Sequence, residues 1–117
     1  MIGVLLVLHG SKVSEWKEVA IKYADLLRKY FSVVEYGFIE FNEPSITDAA
    51  KKLIEKGVET IVVVQLLFAA GTHFKRDIPK QLQSVSNKVK IIVAEPIGVD
   101  HRVAEILKER VEKSLSS

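Results

Sequence analysis

Strand-like and helix-like segments alternate four times along the chain, which predicts a three-layer α/β/α sandwich around a four-stranded parallel sheet. The first and third strand-like runs are the most apolar, as strands buried on both faces should be. The second carries Glu35 and Gly37 and reads as an edge strand. These compositions suit the strand order 2-1-3-4, common in small doubly wound sheets.

Each element has its own signal. Ile2 to Leu8 is a continuous, partly β-branched apolar run, hence the first strand. From Ser14 to Tyr30, Trp16, Val19, Ala20, Tyr23, Leu26, Leu27 and Tyr30 recur at spacings of three and four and mark one helix face. Val33 to Phe41 is the second strand. Pro44 and Ser45 open the second helix, with Asp48 completing a capping-box pattern. Ile46, Ala49, Ala50, Leu53 and Ile54 form its buried face, and Gly57 ends it. Thr60 to Phe68 is the strongest strand, and Gly71 breaks it. A short third helix runs from about Ile78 to Val85, with Pro79 near its start. Val89 to Ala94 is the fourth strand. Asp100 or a neighbour caps a last helix whose Val103, Ile106, Leu107 and Val111 should face inward.

Composition narrows the function. The 117 residues show no linker, repeat or low-complexity tract, so one domain over residues 1–117 is expected. The absence of cysteine excludes disulfides, thiolate metal sites and cysteine nucleophiles. A net charge of +2 is too mild to argue for nucleic acid. No apolar run is long enough to span a membrane. Met1 leads directly into a strand-like run, without the basic start of a secretory leader, so a cytoplasmic location is expected.

In an open α/β sheet, ligands bind beyond the carboxyl ends of the strands, where strand order reverses. For order 2-1-3-4 that point lies between the first and third strands. His9, Gly10 and Ser11 follow one; Ala69, Ala70, Gly71, Thr72 and His73 follow the other. Adjacent strands lie about 4.8 Å apart, so His9 and His73, two of only three histidines, should converge there although 64 positions separate them. Two imidazoles can share a metal ion, or one can act as a base beside the other. Gly10 and Gly71 let backbone approach a flat ligand. Glu40 and Glu95, at the ends of strands two and four, are candidate proton acceptors. Lys12, Lys75 and Arg76 can meet ligand carboxylates. His101 opens the last helix and reads as a surface or capping residue. Trp16 and the tyrosines read as core or interface.

Four stretches resemble one family in order along nearly the whole chain. Val4-Leu-Leu-Val-Leu-His-Gly-Ser11 is similar to the opening of the small class II tetrapyrrole chelatases, which include the short sirohydrochlorin cobaltochelatases. Phe38-Ile-Glu-Phe-Asn-Glu-Pro-Ser45 resembles the family's glutamate-bearing second strand and following turn. Leu67-Phe-Ala-Ala-Gly-Thr-His-Phe-Lys-Arg-Asp-Ile-Pro79 resembles its Gly, His and Asp-Ile-Pro signature, and Glu95-Pro-Ile-Gly98 the turn before its final helix. Gln65 stands where the family usually has proline, and the proline often found near His101 or Arg102 is absent. A histidine-rich insertion common in nickel-inserting relatives is missing as well.

The resemblance implies insertion of a divalent metal into sirohydrochlorin, cobalt favoured over nickel or iron, with the metal a substrate and no permanent cofactor. On this basis His9 and His73 form the catalytic and metal-handling pair and Glu40 is their acidic partner. Gly10, Ser11, Lys12, Gly71, Thr72, Lys75 and Arg76 line the substrate. Two pyrrole protons must leave as the metal enters, which calls for bases active near neutral pH. Long class II chelatases set two such domains across a cleft, so a single-domain chain implies a homodimer with the histidine edges facing inward. A phosphohistidine-type phosphatase would carry arginine before His9, where Leu8 stands. A receiver domain would carry aspartate at the strand ends. A non-catalytic metal carrier is the remaining alternative.

Overall fold

The computed structural model describes residues 1–13, 15–69 and 72–116, the side chains of Thr72, His73 and Phe74 excepted. In chain order the elements are β1 (Ile2–Leu8), α1 (Glu15–Leu27), β2 (Val34–Phe38), α2 (Ile46–Glu55), β3 (Thr60–Gln65), α3 (Thr72–Leu82), β4 (Lys90–Val93) and α4 (His101–Ser116). The four strands form one all-parallel sheet in the order β2-β1-β3-β4, as the composition of the strands implied.

The larger core lies on the α2/α3 face. There Leu5, Val7, Ile61 and Val63 pack against Ile46, Ala49, Ala50 and Leu53 of α2 and Ile78 and Leu82 of α3. On the other face Val4, Leu6, Leu8, Val34 and Phe38 meet Ala20 and Ala24 of α1. β1 is buried on both faces from Gly3 onward. The second helix starts as its sequence implies: the Ser45 hydroxyl accepts from the Asp48 N–H at 3.1 Å. It ends at Gly57, whose φ of 89° suits a residue without a Cβ. Gly37 lets α2 sit directly on β2, since a Cβ there would lie 2.9 Å from the Ser45 carbonyl oxygen.

Several boundaries differ from the sequence expectation. β2 stops at Phe38, not Phe41, because the chain bends and Phe41 adopts a φ of 67°. The ladder survives for two more bonds, from Ile39 N–H to the Leu8 carbonyl and from Glu40 N–H to the His9 carbonyl. β3 stops at Gln65 rather than Phe68. α3 begins at Thr72, six residues before Ile78, and Pro79 lies inside it. A proline is read as a helix opener by propensity, yet one missing N–H late in a helix is tolerated when Ile78 and Leu82 are buried on either side of it.

Helices α1 and α4 depart most. Trp16, Tyr23, Leu26 and Tyr30 of the expected α1 face are exposed, and Ala20 and Ala24 carry the contact instead. Val103, Ile106, Leu107 and Val111 do not face inward: no residue of α4 is buried. The physical reason is geometric. The chain leaves β4 so that α4 projects from the body, and the molecule measures 53 × 30 × 26 Å. Its radius of gyration is 15.4 Å, against about 13 Å for a compact chain of this length.

Candidate active site at the carboxyl edge of the sheet

The register sets Val7 beside Gln65 and Leu8 beside Phe38, so the chain segments leaving β1, β2 and β3 emerge together at the carboxyl edge. His9 follows β1 at once. Its Nε2 lies 2.8 Å from Oε1 of Glu40, two residues past the end of β2, and both side chains remain about two-fifths exposed. This accessible imidazole–carboxylate pair spans the β1 and β2 termini beside the switch point.

Backbone brings the pair together. Gly10 has a φ of 98°, and a Cβ there would collide with the carbonyl oxygen of Glu40. Ser11 N–H then donates to Oδ1 of Asn42 at 2.7 Å, and the Lys12 ammonium lies 5.6 Å from the centre of the Phe41 ring, within cation–π range. The loops after β1 and β2 are thereby locked together. Asn42 and Phe41 escaped the sequence reading; the turn-like Asn-Glu-Pro run was the available signal, but it does not reveal a partner 31 residues away.

The other expected residues divide. The backbone of Thr72 and His73 forms the first turn of α3, at the switch point, while their side chains and Gly71 lie outside the described residues. Lys75 and Arg76 are exposed on the next turn of α3. Glu95 is exposed in the connection after β4 and His101 is exposed at the start of α4, so neither joins His9. Among the described residues no three His, Asp or Glu side chains converge to hold a metal.

Beneath the site lies Gln65. Its Nε2 donates to the Ala94 carbonyl at 2.9 Å, tying β3 to the chain leaving β4. Its buried Oε1 has no hydrogen-bond partner among the described residues. At the opposite end of the sheet, buried Glu35 meets Lys56 at 2.9 Å, Lys52 at 3.5 Å and Arg28 at 3.8 Å, which accounts for a carboxylate inside β2 without giving it a catalytic role.

A small parallel sheet of order 2-1-3-4, with an exposed histidine–carboxylate pair at its switch edge and a glycine forcing the two loops together, defines the class of small class II chelatases. Residues 3–114 match the family model described as CbiX, and the chain belongs to that family. It is 74% identical over all of its 117 residues, and 97% of the relative's length, to the sirohydrochlorin cobaltochelatase of Sulfurisphaera tokodaii. The solved structure of a putative cobalamin biosynthesis CbiX protein from Marinobacter aquaeolei superposes with a TM-score of 0.80 at 29% identity, covering 99% of this chain and 98% of that one. The sirohydrochlorin chelatase SirB of Bacillus subtilis, solved in complex with cobalt, gives 0.86 at 29% identity; the match covers 96% of this chain but 50% of SirB.

Proposed function

We propose that this protein inserts a divalent metal ion, cobalt first, into sirohydrochlorin. The observation that carries the reading is whole-length 74% identity to a sirohydrochlorin cobaltochelatase, together with the His9–Glu40 pair at the switch edge. Nickel or iron insertion into the same macrocycle is the variant reading; the missing histidine-rich insertion favours cobalt.

Insertion exchanges one M²⁺ for two pyrrole N–H protons. His9 is paired with Glu40 at 2.8 Å, and its imidazole is the group that takes a metal or a proton. When it takes a proton, the Glu40 carboxylate stabilises the imidazolium; when it takes a metal, the same bond orients the ring. His73, placed by the first turn of α3, is the second base and metal-handling group. Imidazole and carboxylate hold Co²⁺ without the grip of thiolates, so the ion can be passed on. Gly10, Ser11, Gly71 and Thr72 are the small residues this reading assigns to substrate binding, and Lys12, Lys75 and Arg76 are assigned to its carboxylates.

Residues 1–117 act as one chelatase-like domain. A single domain offers one wall to a macrocycle, so the working form is a homodimer, and its compartment is the cytoplasm. The decisive experiment incubates the protein anaerobically with sirohydrochlorin and Co²⁺, Ni²⁺ or Fe²⁺ and follows the absorbance change against a protein-free control. Acceleration with Co²⁺ is expected. Metal binding without acceleration by any of the three would replace this reading with the carrier one.

A further inference from the structure

Metal insertion by the His9–Glu40 pair needs the Glu40 carboxylate held in place, yet Glu40 lies past the end of an edge strand. An edge strand has a neighbour on one side only. A trans peptide points its C=O and N–H in opposite directions. Of the peptide joining Ile39 to Glu40, one end can therefore reach β1 and the other cannot. The N–H end does: Glu40 N–H donates to the His9 carbonyl at 3.0 Å. The carbonyl end, on Ile39, faces away from β1, with no strand of the sheet beyond it among the described residues.

Gln81 of α3 meets that carbonyl. Its Nε2 donates to the Ile39 oxygen at 3.1 Å, across 42 positions of sequence. The peptide before Glu40 is thus gripped from both sides. After Glu40, Gly10 packs against the Glu40 carbonyl, which also accepts from Asn42 N–H at 2.9 Å. Of these holds, the one at Ile39 comes from outside the β1 and β2 loops. Gln81 is itself braced. It stands in the last turn of α3, where carbonyls lack helical partners. Those of Lys80 and Leu82 accept from Gln83 and Val85 N–H, and that of Gln81 accepts from the Thr47 hydroxyl of α2 at 2.6 Å. Ile78 and Leu82 anchor the same stretch of helix in the core. Ile39, Thr47 and Gln81 are all half-buried, where a hydrogen bond is stronger than in open water.

We propose that Gln81 is a positioning residue for metal insertion: its side-chain amide fixes the Ile39–Glu40 peptide, and through it the Glu40 carboxylate against His9. The role rests on the reading that the His9–Glu40 pair does the chemistry. Gln81 acts on that pair through backbone alone. It also belongs to the helix whose first turn carries His73, with about 12 Å of helix between the two. One amide thereby ties the carboxylate side of the site to the helix of the second histidine. A glutamine that merely joined α3 to the body would change stability and leave the limiting rate to the pair.

The test is a double-substitution cycle between Gln81 and Glu40, read in the anaerobic assay with Co²⁺ and sirohydrochlorin. Gln81→Leu removes the donor at similar size. Gln81→Glu keeps the length but sets an oxygen against the Ile39 oxygen. Each should lower the limiting rate about tenfold, short of the about 100-fold that a displacement of 1 Å can cost. The KM for sirohydrochlorin should stay within about twofold. In a Glu40→Ala background the same substitutions should cost less than about twofold, because no carboxylate remains to be placed. An equal factor in both backgrounds would overturn the proposal, as would Gln81 variants that run at the parent rate. Where Gln81→Leu does not fold, Gln81→Glu carries the cycle; failure of both would make Gln81 a folding determinant and overturn the positioning role. A second readout needs no turnover. The imidazole nitrogen and proton resonances of His9 should move in Gln81→Leu while those of His101 stay, and the movement should vanish in the Glu40→Ala background. A parent protein that inserts no metal yet shows these shifts would overturn the chelatase reading and keep the clamp. An active parent whose His9 resonances ignore Gln81 would do the reverse.

Discussion

Gly10 sets the separation between His9 and Glu40, because its backbone packs where any side chain would strike the Glu40 carbonyl. Gly10→Ala should cost about 1–3 kcal/mol from the positive φ alone, with more from the collision, and should lower insertion rate further than Ser11→Ala does; melting temperature and initial rate measure the two effects. His9→Ala should slow insertion by about 10²–10⁴-fold, the usual contribution of a positioned base, with the circular dichroism spectrum unchanged. Glu40→Gln keeps a hydrogen-bond acceptor but removes the charge, so a smaller loss of about 10–100-fold is expected, read as the Co²⁺ concentration for half-maximal rate alongside the limiting rate. An equal rate for His9→Ala and the parent would take this imidazole out of the reaction. Gln65 presents a balance of two opposed terms. Replacing it with Met relieves a buried, unpaired Oε1 and orphans the Ala94 carbonyl, so the stability change should stay within about 1 kcal/mol.

Among the elements, β1 and α2 were legible because everything that makes them is local. The unbroken apolar run of β1 needs burial on both faces, and Ser45 and Gly57 bracket α2 with the cap chemistry its sequence advertises. β2 was read as an edge strand from Glu35 and Gly37, and it is one, but the reasons lie elsewhere in the chain. Glu35 is held by Lys52 of α2 and by Arg28 and Lys56, just past the ends of α1 and α2, and Gly37 makes room for the start of α2. Gly37→Ala should therefore push α2 off the sheet and destabilise by about 1–3 kcal/mol, measured by urea unfolding. At α4 the Asp100 carboxylate accepts from the Arg102 backbone N–H and, in two bonds, from its guanidinium. The Arg102 side chain holds the Asp100 pKa at about 2, below the ordinary 3.8. A depressed carboxyl pKa favours the folded cap above the ordinary value, and that contribution fades as pH falls from about 4 towards 2. Helicity measured across that range should fall in the parent and be flatter in Asp100→Asn.

For the whole molecule, the shape carries the prediction. The longest extent is 53 Å and no residue of the final helix is buried; in the proposed homodimer such a chain would gain stability by association. Its melting temperature should rise with protein concentration, by mass action on a folded dimer. A melting temperature independent of concentration over a hundredfold range would count against the homodimer. No helix among the described residues is long and apolar enough to cross a membrane.

The sequence alone determined the order of strands and helices, the edge position of β2 and the arrival of His9, Gly10 and the segment bearing His73 at one end of the sheet. Periodicity, caps and strand composition are set by each residue's own neighbours, and the crossover rules convert them into topology. Tertiary structure decided which groups meet. The carboxylate beside His9 depends on a bend at Phe41 and a glycine 30 residues earlier, and the Asn42 lock depends on the register of β1 against β2. The fate of α4 depends on how the connection after β4 is pinned. Its amphipathic pattern predicts a covered face, and only the tertiary structure shows that Ile106, Leu107 and Val111 stay exposed, because α4 projects from the body.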